Sequence, residues 1–143
     1  MKLKRVKVKS LRLAFDGYSA SGKSLGAKLI SKKFKLHLLN SGLLYRFSAF
    51  LILKYKPKNK ILFLKKEFKK LNYKKIIQLN LHTQEISSYS STIAKQKKVR
   101  LILKDFQKKF AKKHKYIAIE GRDISTNILK SNPRYDVSFF FKC

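Results

Sequence analysis

Tryptophan is absent from this sequence, and cysteine, proline, glycine and acidic residues are all scarce. A single cysteine, Cys143, excludes a disulfide framework and fits a reducing compartment. The two prolines, Pro57 and Pro133, stand near breaks in the apolar pattern, and there is no Gly/Ser linker or internal repeat. The longest apolar stretch, near Phe47–Leu53, is far short of the roughly 20 residues of a membrane-spanning helix. The opening M-K-L-K-R-V-K-V-K is charged like the start of an export signal. No apolar segment of about 7–15 residues follows it, so export is not expected and a cytoplasmic location is.

What is abundant is lysine. Lys and Arg number 36 against 7 Asp and Glu, for a net charge of +29, and only six of the 36 are arginine. Such a chain attracts polyanions whatever else it does. The lysines run along the chain rather than forming a separate basic tail, as a general compositional bias toward lysine would produce. The length of 143 residues is one domain's worth, and 44% hydrophobic content supplies a packed core.

Strand and helix patterns alternate. Leu11–Phe15, Leu36–Leu39, Tyr116–Glu120 and Val137–Phe141 read as strands. Helices are expected from Gly22 to about Lys33, from Ser41 to about Lys54, around Ile61–Leu71, and in one or two pieces from Thr83 to about Lys113, with Thr83 as a cap and Glu85 in the first turn. The strand cores are nearly continuous apolar runs, which argues for an α/β fold with a parallel sheet covered by helices on both faces.

Residues 17–24, G-Y-S-A-S-G-K-S, match G-x-x-x-x-G-K-[ST] between an expected strand and an expected helix. Gly17 and Gly22 permit a tight turn and close backbone approach. The amides of Tyr18, Ser19, Ala20 and Ser21 and the helix start then face a phosphate. Lys23 reaches the β and γ phosphates as a point charge, and Ser24 offers a hydroxyl to Mg²⁺. With only seven acids, their positions carry information. Asp16 precedes the loop, Glu120 ends a strand and Asp123 follows the turn glycine Gly121, where carboxylates serving a nucleotide-bound metal belong in a parallel sheet. Asp16 and Glu120 are therefore candidate metal ligands, with capping roles as the alternative. Ser41, Tyr45 and Arg46 gather a hydroxyl, a phenol and a guanidinium at the start of another helix, a set suited to a second phosphate. Arg46 and Arg122 stand out because arginine is scarce.

These blocks resemble the bacterial cytidylate kinases, P-loop nucleoside monophosphate kinases. F-D-G-Y-S-A-S-G-K-S is similar to the family's phosphate loop, H-L-L-N-S-G-L-L-Y-R to its H-L-L-D-S-G-x-x-Y-R block, T-Q-E-I-S-S-Y-S-S-T-I-A with V-R at 99–100 to its T-x-E-V…S-x-V-A…V-R segment, and E-G-R-D-I-S-T to its D-G-R-D-x-G-T block. The resemblance implies an adenylate-kinase-like core and transfer of the ATP γ-phosphoryl to CMP or dCMP, with ATP and Mg²⁺ as ligands. It implies that Ser41, Tyr45, Arg46, Arg122 and Asp123 hold the CMP phosphate region, that Ser91 and Arg100 read cytosine, and that Lys23, Arg122 and Asp123 serve catalysis. Two other readings were weighed: a non-catalytic nucleotide-binding remnant of this fold, and a basic nucleic-acid-binding protein, against which no aromatic–basic repeat is visible in the sequence.

The sequence departs from the family pattern at several points. Asn40 replaces an acid, Ser125 replaces a glycine, and Glu120 stands where the family has Asp. Residues 1–143 read as one nucleoside monophosphate kinase domain with a shortened CMP-binding insert at about 55–82. The family's lid and last strand and helix do not follow V-S-F-F-F. A chain lacking them is expected to be slow, prone to aggregation through Phe139–Phe141, and monomeric only if complete.

Overall fold

In a computed structural model, which describes residues 8–18 and 20–142, the chain forms β1 (Leu11–Gly17), α1 (Lys23–Phe34), β2 (His37–Asn40), α2 (Ser41–Tyr55), α3 (Lys60–Lys69), α4 (Tyr73–Ile77), α5 (Gln84–Ile93), α6 (Lys97–Lys113), β3 (Tyr116–Gly121), a π-helical turn (Ile124–Ile128) and β4 (Val137–Phe141). Ser19, Cys143 and the basic opening segment lie outside the described residues. The strands order as β2-β3-β1-β4, and β1 runs parallel to both its neighbours. This is the α/β architecture expected of alternating strands and helices.

Two compact units divide the chain. One takes in Met1–Leu38 and Ala111–Cys143, the other Leu39–Phe110. The core of the first contains Leu13, Phe15, Ala27 and Ala118, with Leu11, Ile30, Leu36, Leu38 and Phe141 packed against them. The register pairs Leu13 with Ala118, Ala14 with Ile119 and Phe15 with Glu120, so the carboxyl ends of β1 and β3 finish side by side. That is where a parallel sheet presents its loops to a ligand. Buried residues dominate β1 and β3 on both faces, as the unbroken apolar runs predicted. β4 differs: Phe139 stacks on Phe15 at 5.0 Å, yet four of its five residues are exposed.

The second unit is helical. α2 packs along α5, and aromatic contacts run through the interior: Phe47 to Phe68 at 6.1 Å, Phe68 to Phe106 at 5.6 Å and Tyr73 to Phe110 at 6.0 Å. Within the lysine-rich stretch lie α3 and the short α4, the latter not anticipated from the pattern. Asn residues start three of these helices. Asn40, Asn59 and Asn72 each accept a backbone N–H with the side-chain oxygen, at α2, α3 and α4 respectively. Such caps stabilise a helix by about 1 kcal/mol.

Candidate functional site

The phosphate loop is built as its sequence requires. Gly22 caps α1 with φ +83°, a left-handed conformation that glycine adopts without steric cost. Gly17 is required for space: a Cβ there would sit 2.6 Å from the Phe141 carbonyl oxygen. Ala20, with φ +60°, holds a left-handed conformation without being glycine. Tyr18 is exposed and meets Phe140 edge-on at 5.9 Å. The Ser21 hydroxyl is buried and makes no hydrogen bond among the described residues.

Lys23 Nζ donates to the Gly17 carbonyl at 2.9 Å and to the Gly121 carbonyl at 3.0 Å. The ammonium is thereby held at the carboxyl ends of β1 and β3. Burial lowers its pKa below the ordinary 10.5; Glu120 opposes this, Arg122 adds to it and Asp16 opposes it. Lys23 thus lies in the fields of Glu120, Arg122 and Asp16. Ser24 Oγ donates to Glu120 Oε1 at 3.0 Å, joining the two side chains expected to face a metal.

Asp16 binds the loop that follows β3. Its carboxylate accepts from the backbone N–H of Ile124 at 2.6 Å, from that of Ser125 at 3.0 Å and from the Ser125 hydroxyl. Three donors make this carboxylate the anchor of the loop leading into the π-helical turn, which is the capping role that stands beside the metal reading. The substituted residue Ser125 supplies two of those donors, so the replacement of glycine here is compensated locally. Asp123 accepts from Asn127 Nδ2 at 3.0 Å, and Arg122 is exposed beside it.

The donor set suits Mg²⁺. A serine hydroxyl and a carboxylate are hard oxygen ligands, of the kind that leave most of the octahedron to water and substrate phosphates. No cluster of three or more His, Cys, Asp or Glu side chains forms among the described residues.

In the other unit, Ser41 is buried in the first turn of α2 and Asn40 caps that helix. Asn40 stands where the family has an acid, and its side-chain oxygen accepts the Leu43 N–H at 3.3 Å. Its backbone N–H also donates to the Tyr73 hydroxyl at 2.9 Å. Arg46 is no solvated charge: Nη1 donates to the Leu81 carbonyl at 3.2 Å and to the Ser87 hydroxyl. Ser87 was not singled out from the sequence; only its place in the S-S-Y-S-S run pointed to it. Tyr45 is half-buried. Ser91 is exposed on α5, its hydroxyl donating to the Ser87 carbonyl at 3.2 Å, and Arg100 is exposed on α6. Ser41, Tyr45, Arg46, Ser91 and Arg100 all belong to this helical unit, while the loop residues, Arg122 and Asp123 belong to the sheet unit.

A parallel sheet whose first strand enters a glycine loop, with the loop lysine at the strand ends and a serine–carboxylate pair next to it, defines a P-loop nucleotide-binding core. The family model for cytidylate kinase matches residues 13–141, and the chain belongs to that family. Among its relatives, the bifunctional pantoate ligase/cytidylate kinase of Prochlorococcus marinus (strain MIT 9215) is 37% identical over 81% of this chain and 26% of its own length. The cytidylate kinase of Mesomycoplasma hyopneumoniae (strain 7448) is 32% identical over 92% of this chain and 62% of its own. That of Clostridioides difficile (strain 630) is 30% identical over 92% and 64%. The chain thus spans less than two thirds of the length of these relatives.

Proposed function

We propose that this chain carries out, or forms the core of a protein that carries out, ATP-dependent phosphorylation of CMP or dCMP. The observation that carries the reading is Lys23, held by the carbonyls of Gly17 and Gly121 next to the Ser24–Glu120 pair. An ammonium restrained by two neutral carbonyls is ready to exchange them for phosphate oxygens. In this reading the amides of residues 17–22 and the α1 N-terminus bind the ATP phosphates, and Lys23 neutralises charge on the β and γ groups. Ser24 and Glu120 would hold Mg²⁺, which would supply charge neutralisation to the phosphates. Arg122 adds a second fixed cation, and Asp123, tied to Asn127, orients the loop that carries it.

On the acceptor side, Ser41 and Tyr45 address the CMP phosphate. Arg46 spends one terminal nitrogen on Leu81 and Ser87 and keeps further N–H donors of its five for that phosphate. Ser91 and Arg100 read the cytosine edge. Transfer is in line, achieved by positioning and charge neutralisation without a covalent intermediate. We place the activity in the cytoplasm, where both substrates occur; among the described residues no helix is long and apolar enough to cross a membrane.

Equilibrium binding tests the acceptor assignment. CMP and dCMP are expected to bind at least tenfold more tightly than UMP or AMP, because a base that mismatches built-in donors leaves polar groups unpaired. Arg100→Ala is expected to erase most of that preference while leaving ATP affinity unchanged. Equal binding of all four monophosphates contradicts the cytosine assignment.

A further inference from the structure

The positive charge is unevenly placed. Residues 54–75 contain ten lysines and a single acid, Glu67, whereas residues 76–94 contain neither lysine nor arginine. All ten lysines are exposed, and Glu67 is already paired with Lys70 at 3.3 Å. Lysine here is interleaved with rings, an arrangement assembled from three helices and so invisible as a sequence repeat. Lys54 Nζ lies 5.5 Å from the Phe50 ring centroid and 5.3 Å from that of Tyr55. Tyr55 meets Phe63 at 5.8 Å. Lys60 Nζ lies 5.8 Å over the Tyr89 ring and 3.2 Å from its hydroxyl.

Tyr55 is 57% exposed, and Phe50, Phe63 and Tyr89 are half-buried. None of these rings belongs to the phosphate loop or to the acceptor residues. A half-exposed aromatic cluster set among ammonium groups offers stacking to a base and neutralisation to the phosphates on either side of it. A duplex keeps its bases stacked internally and cannot use the rings, so the complementary occupant is a single strand.

We propose that the helical unit carries a single-stranded nucleic-acid-binding surface formed by the end of α2, the start of α3 and α5, with Tyr55 as its principal stacking ring and Lys54 and Lys60 as phosphate contacts. None of its residues is among those assigned above to contact ATP or CMP, and the proposal does not rest on that reading.

The test uses the full chain and a fluorescein-labelled 12-mer of oligouridylate, with anisotropy followed across a salt series. Heparin, a polyanion without bases, and vesicles containing phosphatidylserine are the comparison ligands. Tyr55→Ala is expected to weaken the oligonucleotide about 5- to 100-fold, the range for losing one stacked base. It should leave the salt slope and the heparin affinity unchanged, and Tyr55→Phe should restore binding, which separates stacking from misfolding. The Lys54→Ala, Lys60→Ala double variant is expected to reduce the slope of log K against log salt by about 1.4, roughly 0.7 per phosphate contact on a single strand. Saturating ATP and CMP should not displace the oligonucleotide. Equal affinity of the native chain and Tyr55→Ala for the oligonucleotide overturns the proposal in favour of charge attraction alone. Tyr55-dependent binding to the vesicles with none to the oligonucleotide overturns it in favour of a membrane surface.

Discussion

Lys23 shows how one side chain can link pH, folding and ligand binding. Its lowered pKa, caused first by burial, means that the folded chain releases this proton at a lower pH than the unfolded chain does. In the alkaline window between the lowered value and 10.5 the unfolded state holds more proton, so this residue's contribution makes stability rise with pH. A bound triphosphate acts in the opposite sense, because its charge favours the ammonium. ATP binding in that window is therefore expected to take up protons, and calorimetry in buffers of different ionisation enthalpy reads this directly. Lys23→Arg, charged at every accessible pH, should show no uptake. A native chain that binds ATP with no proton uptake in that window contradicts the account of Lys23.

The loop glycines make distinct demands at the same scale. Gly22→Ala meets nothing within 4 Å but must hold φ +83°, a strain of about 1–2 kcal/mol. Gly17→Ala drives a methyl group against the Phe141 carbonyl, a backbone atom that cannot rotate away. Thermal melts are expected to show the larger loss for Gly17→Ala, and equal melting temperatures would mean that β4 yields freely at Phe141. The glycines and Lys23 were legible in the sequence because their spacing is a backbone requirement. The role of Asp16 was not, since an acid just before such a loop can face a metal or a neighbouring amide. The structure shows the second, with the Ile124 and Ser125 amides on the carboxylate.

At the scale of the element, the shortage of glycine has a cost. α1 ends at Lys35 with φ +54° and α2 at Lys56 with φ +45°, the left-handed C-terminal position that glycine usually fills. At Lys35 the following amide, that of Leu36, still donates to the Ser31 carbonyl at 2.8 Å, so the turn forms despite the side chain. Lys35→Gly is expected to raise stability by about 0.5–1 kcal/mol, since relief of the left-handed strain exceeds the entropy glycine adds to the unfolded chain. Chemical denaturation measures it, and a destabilised variant would show that the Lys35 side chain contributes more than its backbone strain costs. The starts of α1 and α2 are legible from the Gly22 turn and from Ser41 ahead of an apolar run, while α4 is not. Five residues with Asn72 as a cap leave no periodicity to detect. The π-helical turn was equally hidden, because it is held by Asp16 from more than a hundred residues away.

For the whole molecule, the sheet order and the pairing of β1 with β3 turn two distant sequence blocks into one site: Lys23 meets Gly121, and Ser24 meets Glu120. Motif spacing singles out Lys23, Ser24 and Glu120 but not these contacts, since the interactions span about a hundred positions. β4, an apolar strand whose Phe139–Phe141 are expected to be open to association, is largely exposed, with Phe140 the most open of its rings. An apolar pattern specifies a strand; what covers it is set by tertiary neighbours. Arg46, singled out by the scarcity of arginine, is held by Leu81 and Ser87, contacts that the sequence does not indicate.

The most direct measurement of the central claim is transfer of label from γ-³²P-ATP to a nucleoside monophosphate under single-turnover conditions, with protein in excess so that even slow transfer is seen. The account predicts labelled CDP and dCDP from CMP and dCMP, with at least tenfold less product from UMP and AMP. It predicts that product is lost with Lys23→Ala. Transfer that is equal for all four acceptors, or that survives Lys23→Ala, would contradict it.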